Sequence, residues 1–180
     1  MANMYFIALV ASKEINEDVL KWKHWMKEQF GCVVALRSPA HITLIPPFWM
    51  EDALENKLQN EMNIFSQQQI PFEIHLKHFA AFKPRVIYVE VAPNKILDLL
   101  REDLCQFLIN TKLFSFKTDE SPWHPHITIA ARDLHKKAFH EAWQIFKEKN
   151  YEASWITPGI SLLRHNQKNW DVISTSQFRN

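Results

Sequence analysis

The pattern His-x-Thr followed by an aliphatic residue occurs twice in this chain. The copies are His41-Ile42-Thr43-Leu44 and His126-Ile127-Thr128-Ile129, and a Ser-Pro pair lies shortly before each of them. Residues two apart on a β-strand point to the same face. Each copy on a strand would therefore place an imidazole beside a hydroxyl on one face, with aliphatic side chains on the other.

Two imidazoles and two hydroxyls on one surface suit the chemistry of a phosphate ester. Histidine titrates near neutral pH, so one imidazole of a pair can accept a proton while the other donates one. Threonine hydroxyls can donate hydrogen bonds to the non-bridging oxygens of a phosphate and stabilise the charge that develops there. The doubled motif thus predicts in-line attack of water on phosphorus, with no metal required.

Residues next to the motifs leave two other readings open. His124 and His126 flank Pro125 with metal-ligand spacing, and His41 could supply a third ligand, as in a His-rich metallohydrolase. The same surface could also bind RNA ends or nucleotides without turnover. Phe48, which follows the first motif, is a candidate to stack on a nucleotide base.

The composition is that of a globular protein with no strong overall field. The chain has 180 residues, 47% hydrophobic and 23% charged, and a formal net charge of +1. A charge so small argues against nonspecific attraction to nucleic acid or membranes. With only 2 glycines, glycine-rich phosphate loops are not expected, and the 2 isolated cysteines do not indicate a disulfide framework. We expect a cytoplasmic monomer that does not enter a membrane.

Hydrophobic periodicity and capping signals predict an alternation of strands and helices. The prediction includes helix caps at Asn16 and Asn94, and a strand that Pro46-Pro47 terminates. Residues 1–180 are expected to form a single domain with two lobes. The predicted strands are 4–10, 32–36, 41–45, 72–82, 85–91, 126–130, 152–164 and 170–178, and the predicted helices are 16–30, 51–65, 94–110 and 133–150.

The paired motifs make the sequence similar to the 2H phosphoesterase superfamily, which includes 2′-5′ RNA ligases and RNA 2′,3′-cyclic phosphodiesterases. The resemblance extends over nearly the whole chain, including segment 82–89 between the motifs and the hairpin through Trp170. It implies an α+β fold of two pseudo-symmetric lobes. Each lobe would be an antiparallel sheet with helices outside, and a central cleft would carry both motif strands.

The resemblance also implies roles for individual residues. His41 and His126 would be the catalytic acid and base, with His126 activating water and His41 protonating the leaving 3′ oxygen. Thr43 and Thr128 would bind phosphate. Family members often carry an arginine just after the second motif; Arg132 lies one residue further along and is, with Phe48 and His124, a candidate substrate contact. The implied substrate is a 2′,3′-cyclic phosphate or 2′-5′ linkage in an RNA end or small nucleotide, with no cofactor.

Overall fold

The structure is a computed structural model that describes residues 1–116 and 122–179. Eight strands and four α-helices are found in this part of the chain, together with short 3-10 helices at Val34–Arg37 and Asp52–Leu54. The order is β1 Ala2–Val10, α1 Lys13–Phe30, β2 His41–Glu51, α2 Glu55–Ser66, β3 Phe72–Phe82, β4 Val86–Val91, α3 Lys95–Thr111, β5 His126–Ala130, α4 Lys136–Phe146, β6 Glu152–Thr157, β7 Gly159–His165 and β8 Trp170–Gln177.

Two antiparallel four-stranded sheets form the framework, which confirms the predicted α+β fold. The first sheet has the order β2-β1-β7-β8 and the second has the order β5-β4-β3-β6. The two orders correspond position by position, so β2 is equivalent to β5 and β1 to β4. Each His-x-Thr motif consequently begins an edge strand, at the same place in its sheet.

The helices cross between the two sheets. Although α1 follows β1 of the first sheet, it packs on the second sheet, with Trp22 against Phe79 of β3 and Trp25 against Phe146 of α4. Its counterpart α3 follows β4 of the second sheet but contacts β2 of the first, beside α2. Each sheet is therefore covered by helices from both halves of the chain.

Strand β1, an inner strand of the first sheet, is buried on both faces along most of its length. Tyr5 and Ile7 of β1 are fully buried in the main core, as the alternation of a strand requires. Phe6, between them, points the other way and forms a smaller cluster with Leu163 and Trp170. Burying such a large apolar side chain contributes about 1.5–3 kcal/mol to stability. This second cluster therefore stabilises the face of the sheet that lies opposite to the main core.

Two predictions around the first motif were wrong. The segment predicted as a strand at 32–36 instead leads into the 3-10 helix Val34–Arg37. Strand β2 does not stop at Pro46-Pro47 but continues to Glu51. It can do so because the pairing shifts register between Ile7 and Tyr5 of β1, a bulge that accommodates the two prolines on an edge strand.

The predicted cap of α1 was also wrong. The helix begins at Lys13, and the Ser12 hydroxyl caps it by accepting from the backbone N–H of Ile15 (3.4 Å). Asn16 lies inside the helix, where its side-chain oxygen accepts from the backbone N–H of Ala40 (2.6 Å). Asn16 thus ties α1 to the residue that precedes the first motif. By contrast, the predicted Asn94 cap of α3 is confirmed.

Helix α4 begins at Lys136 and not at Asp133 as predicted, and it ends at Phe146 instead of near residue 150. The Asp133 carboxylate is engaged elsewhere. It accepts from the backbone N–H groups of Val33 (2.6 Å) and Val34 (2.9 Å), which begin the 3-10 helix after α1. This contact joins the segment after the second motif to the segment before the first.

The predicted strand 152–164 is two strands in different sheets. Pro158 separates β6, in the second sheet, from β7, in the first. Proline has no N–H to continue a ladder. Gly159 follows because a Cβ there would collide with the backbone carbonyl of Ser176. The chain therefore passes between sheets within a single residue, at a site where β8 leaves no room for a side chain.

Candidate active site

The two motif strands meet where the edges of the sheets come together. Strands β2 and β5 are in contact, although no ladder of hydrogen bonds joins them. The indole Nε1 of Trp123, three residues before the second motif, donates to the backbone oxygen of Thr43 (3.3 Å). The Ser121 that leads into this motif lies outside the described residues. The second motif is thus anchored directly on the backbone of the first.

A cleft of about 200 Å³ opens beside this junction. Both motifs contribute to its walls, through His41 and Thr43 of β2 and Thr128 of β5. His126 is not in direct contact with this volume, but its charge acts on the imidazole of His41. The remaining lining residues are Phe6, Lys23, Val34, Ala35, Ser38, Pro39, Pro47, Ala131, Arg132 and Trp170.

The His41 ring is held in one orientation. Its Nδ1 lies 2.7 Å from the carbonyl oxygen of Pro39. A carbonyl oxygen only accepts, so Nδ1 carries the proton and Nε2 of the neutral ring has the free lone pair. The ring also packs on Phe6 at a centroid distance of 4.8 Å. His41 is therefore set to exchange protons through Nε2 alone.

His126 repeats this arrangement in the other lobe. Its Nδ1 lies 2.7 Å from the carbonyl oxygen of His124, again two residues earlier in the chain. The ring packs on Phe82 and Tyr88, with centroid distances of 5.2 and 5.0 Å. By the same reasoning Nδ1 is the protonated nitrogen. The two histidines thus share one tautomer, and each keeps Nε2 for a substrate.

Both imidazoles favour the neutral form in the free protein. Burial lowers the pKa of His41 to about 4, and the positive charges of Lys23 and of protonated His126 act in the same direction. Burial also lowers the pKa of His126, helped by the charge of His124. An anion entering the cleft would offset these effects and favour protonation, because opposite charges raise the pKa of a base.

The other sequence candidates fall at different places. The exposed His124 has its Nε2 3.1 Å from the Tyr88 hydroxyl. Arg132 lies exposed at the cleft rim, with a left-handed backbone (φ 49°). Phe48 does not line the cleft: it is 3% exposed and stacks on Phe114 at 3.8 Å between centroids. Phe48 belongs to the core, which corrects the prediction that it contacts the substrate.

The metal-site alternative gains no support from the geometry. Within residues 1–116 and 122–179, no three or more His, Cys, Asp or Glu side chains are grouped so that they could hold a metal ion. In particular, His41, His124 and His126 do not form such a group. Their nitrogens bond instead to the carbonyls of Pro39 and His124 and to Tyr88.

Three cleft residues were not anticipated from the sequence. Phe6 and Trp170 form its apolar side, with ring centroids 4.7 Å apart. Lys23 reaches the cleft from α1, where it is only 4% exposed. One signal for Lys23 was present: it follows Val19 by four residues and precedes Met26 by three, a position on the apolar face of the helix.

Comparison with known proteins identifies the family. The family model of the 2′-5′ RNA ligase superfamily matches residues 12–169, so the chain belongs to this superfamily, as the paired motifs predicted. One relative, a protein of Staphylococcus epidermidis described as a phosphoesterase, is 30% identical over 173 residues, covering 94% of this chain and 95% of its own. The RNA 2′,3′-cyclic phosphodiesterase of Bacillus subtilis is 29% identical over 121 residues, covering 65% and 60%.

Solved structures share the fold. TT0787 of Thermus thermophilus superposes with a TM-score of 0.69 at 16% identity, covering 98% of both chains. E. coli LigT complexed with 3′-AMP gives a TM-score of 0.68 at 18% identity and covers both chains completely. None of the helices in the described part of this chain is both long and apolar enough to cross a membrane.

Proposed function

We propose that this protein is a phosphodiesterase that hydrolyses 2′,3′-cyclic phosphates or 2′-5′ linkages in RNA ends or nucleotides. The observation that carries the proposal is the matched pair of imidazoles. His41 and His126 begin equivalent edge strands, and each is fixed through Nδ1 by the carbonyl two residues earlier. Each leaves Nε2 for proton transfer, and a threonine from each motif lines the same cleft.

The reaction needs one base and one acid on opposite sides of phosphorus. Nε2 of one histidine takes a proton from water as the water oxygen forms its bond to phosphorus. The bond from phosphorus to the leaving ribose oxygen breaks, and Nε2 of the other histidine gives that oxygen its proton. Thr43 and Thr128 donate to the non-bridging oxygens, which gather negative charge in the transition state. One water is consumed and no redox step occurs.

The size of the cleft supports a small reacting group. About 200 Å³ is below the roughly 300–1,000 Å³ usual for sites that enclose a drug-sized ligand. Such a volume suits a phosphate with part of its ribose, while the base or the rest of an RNA strand lies outside. The B. subtilis relative is named for RNA 2′,3′-cyclic phosphates, and LigT was solved with 3′-AMP, which favours substrates of this class.

The roles of the two histidines follow from the family resemblance: His126 activates water, and His41 protonates the 3′ oxygen to leave a 2′-phosphate. The low pKa of His41 in the free protein is compatible with this, because the anionic substrate raises it on binding. A substrate whose 3′ leaving group needs no proton tests the assignment. His41→Ala should be largely rescued on it and His126→Ala should not, and the opposite pattern would exchange the roles.

The decisive experiment is a turnover assay on purified protein in the presence of EDTA. The substrates are the four 2′,3′-cyclic nucleotides, 2′-5′ dinucleotides and RNA with a cyclic phosphate end, with products separated by chromatography. We expect hydrolysis to a 2′-phosphate. His41→Ala and His126→Ala should each lose roughly 10²–10⁴-fold in rate. The exposed His24 on α1 provides the matched control, and His24→Ala should keep full activity.

Three outcomes would count against the proposal. Binding of these nucleotides without any turnover would make the cleft a nonenzymatic binding site. Activity that disappears with EDTA and returns with a metal ion would favour a metallohydrolase. Full activity of either motif variant, His41→Ala or His126→Ala, would show that the histidines do not transfer the protons.

A further inference from the structure

A lysine occupies a position where the fold calls for an apolar residue. Helix α1 buries Ile15, Val19 and Met26 against the core, and Lys23 lies on the same face. Its side chain is 4% exposed, less than that of Phe72 or Val91 in the main core. Burying an ammonium group is costly unless other groups compensate its charge. An aliphatic residue at position 23 would avoid this cost, yet the sequence has a lysine there.

The protein itself compensates little of this charge. Nζ donates one hydrogen bond, to the backbone oxygen of Ser38 (3.0 Å). An ammonium has three N–H donors. Among the residues that the structure describes, no carboxylate lies within 4.0 Å of Nζ. Burial lowers the pKa of Lys23 to about 8, so in most molecules the Lys23 side chain is still protonated at pH 7.

Lys23 lies at the candidate active site. Lys23 lines the same cleft as His41 and the two motif threonines, and its charge contributes to the low pKa of His41. Arg132 is a second cation at this cleft, and none of its described lining residues is acidic. A site with this charge pattern attracts anions.

We propose that Lys23 is an anion ligand of the cleft and that a non-bridging oxygen of the substrate phosphate is its missing counterion. One N–H stays on Ser38, and the remaining donors bind the phosphate beside Thr43 and Thr128. The inference rests on the proposed function for the identity of the anion, but it requires only that a phosphate binds. It makes Lys23 a substrate-binding residue that belongs to neither His-x-Thr motif.

The test measures the binding of inorganic phosphate by calorimetry, which does not depend on turnover. Lys23→Met keeps the length of the side chain and removes the charge. The matched control is Lys27→Met, which removes the same charge from an exposed position one turn further along α1. We expect Lys23→Met to weaken phosphate binding roughly tenfold to a hundredfold, the effect of losing a charge-assisted hydrogen bond. Lys27→Met should bind phosphate as the wild type does.

Thermal unfolding of the same proteins supplies a second measurement. Without phosphate, Lys23→Met should melt at or above the wild-type temperature, because an incompletely compensated buried charge is removed. Phosphate should raise the melting temperature of the wild type and of Lys27→Met more than that of Lys23→Met. Lys23→Gln, which keeps an N–H donor for Ser38, serves as a second variant and should show the same weakened binding.

Equal phosphate affinity in Lys23→Met and wild type, with a lower melting temperature for the variant, would overturn the inference and make Lys23 a structural tether of Ser38. A wild-type protein that binds no phosphate at millimolar concentration would overturn it too. Failure of the proposed function gives a different result. In that case no cyclic phosphate is hydrolysed, while Lys23→Met still weakens phosphate binding.

Discussion

The half-buried imidazole of His41 should make the folded state sensitive to mild acid. His41→Gln is the informative substitution because glutamine retains an N–H donor for the Pro39 carbonyl but does not titrate. The pKa of His41 falls from 6.5 to about 4 on folding, mainly through burial. Between these values the unfolded chain binds a proton that the folded protein does not, so the free energy of unfolding increases with pH.

The size of the effect follows from the two pKa values. At pH 7.5 the imidazole is neutral in both states and contributes almost nothing. At pH 4.5 it is protonated in the unfolded chain and mostly neutral in the folded one, which lowers the free energy of unfolding by about 2.5 kcal/mol. The loss develops as the pH falls from about 6.5 towards 4 and should be absent from His41→Gln.

Urea unfolding at several pH values between 7.5 and 4.5 measures this contribution. The quantity of interest is the wild-type free energy of unfolding minus that of His41→Gln, because carboxylates titrate alike in both proteins and cancel. His24→Gln, which removes an exposed imidazole, should follow the wild type. A wild-type minus His41→Gln difference that stays constant over this range would refute the reasoning, since it would show that folding does not hold His41 neutral.

Further predictions concern the motifs and the contact between the lobes. Thr43→Val and Thr128→Val should fold normally, as measured by circular dichroism, and each should lose about 10²–10³-fold in turnover rate; full activity of both would leave the threonines without a catalytic role. The His41→Ala/His126→Ala double variant should lose much less than the product of the single losses, because the pair acts as a unit; multiplicative losses would mean that they act independently. Asp133→Ala should lower the free energy of unfolding, measured in urea, by about 2 kcal/mol, since two backbone N–H groups lose a charged acceptor. Asp133→Asn should lower it less. Equal decreases for the two variants would show that the charge of the carboxylate does not contribute.

Local rules were sufficient for the motif strands. The alternation of a strand requires only neighbouring residues, and it correctly placed Thr43 on the face opposite to Ile42. Alternation alone does not extend this assignment to Phe48. The pairing of β2 with β1 shifts register twice between Thr43 and Phe48, each time by one extra residue of β2. The sequence of β2 alone does not reveal these shifts.

Features that depend on distant segments escaped prediction. Asp133 follows a strand and looks like a helix cap, but its carboxylate is used by Val33 and Val34, about a hundred residues earlier. The division of segment 152–164 at Pro158 depends on its two parts pairing with strands of different sheets, which are distant in sequence. The role of Lys23 becomes visible only in the folded chain, because five separate regions of the sequence line the cleft.

The exchange of helices between the sheets bears on how a ligand enters. Helix α1 is tied to Ala40 of the first lobe through Asn16 and packs by Trp22 on Phe79 of the second, and α3 makes the reciprocal crossing. Lobes held in this way cannot swing apart like the halves of a clamshell without breaking core contacts. We therefore expect a preorganised site whose width changes little on binding. Substrate would meet no slow closure step, and little of its binding energy would be spent on ordering the protein.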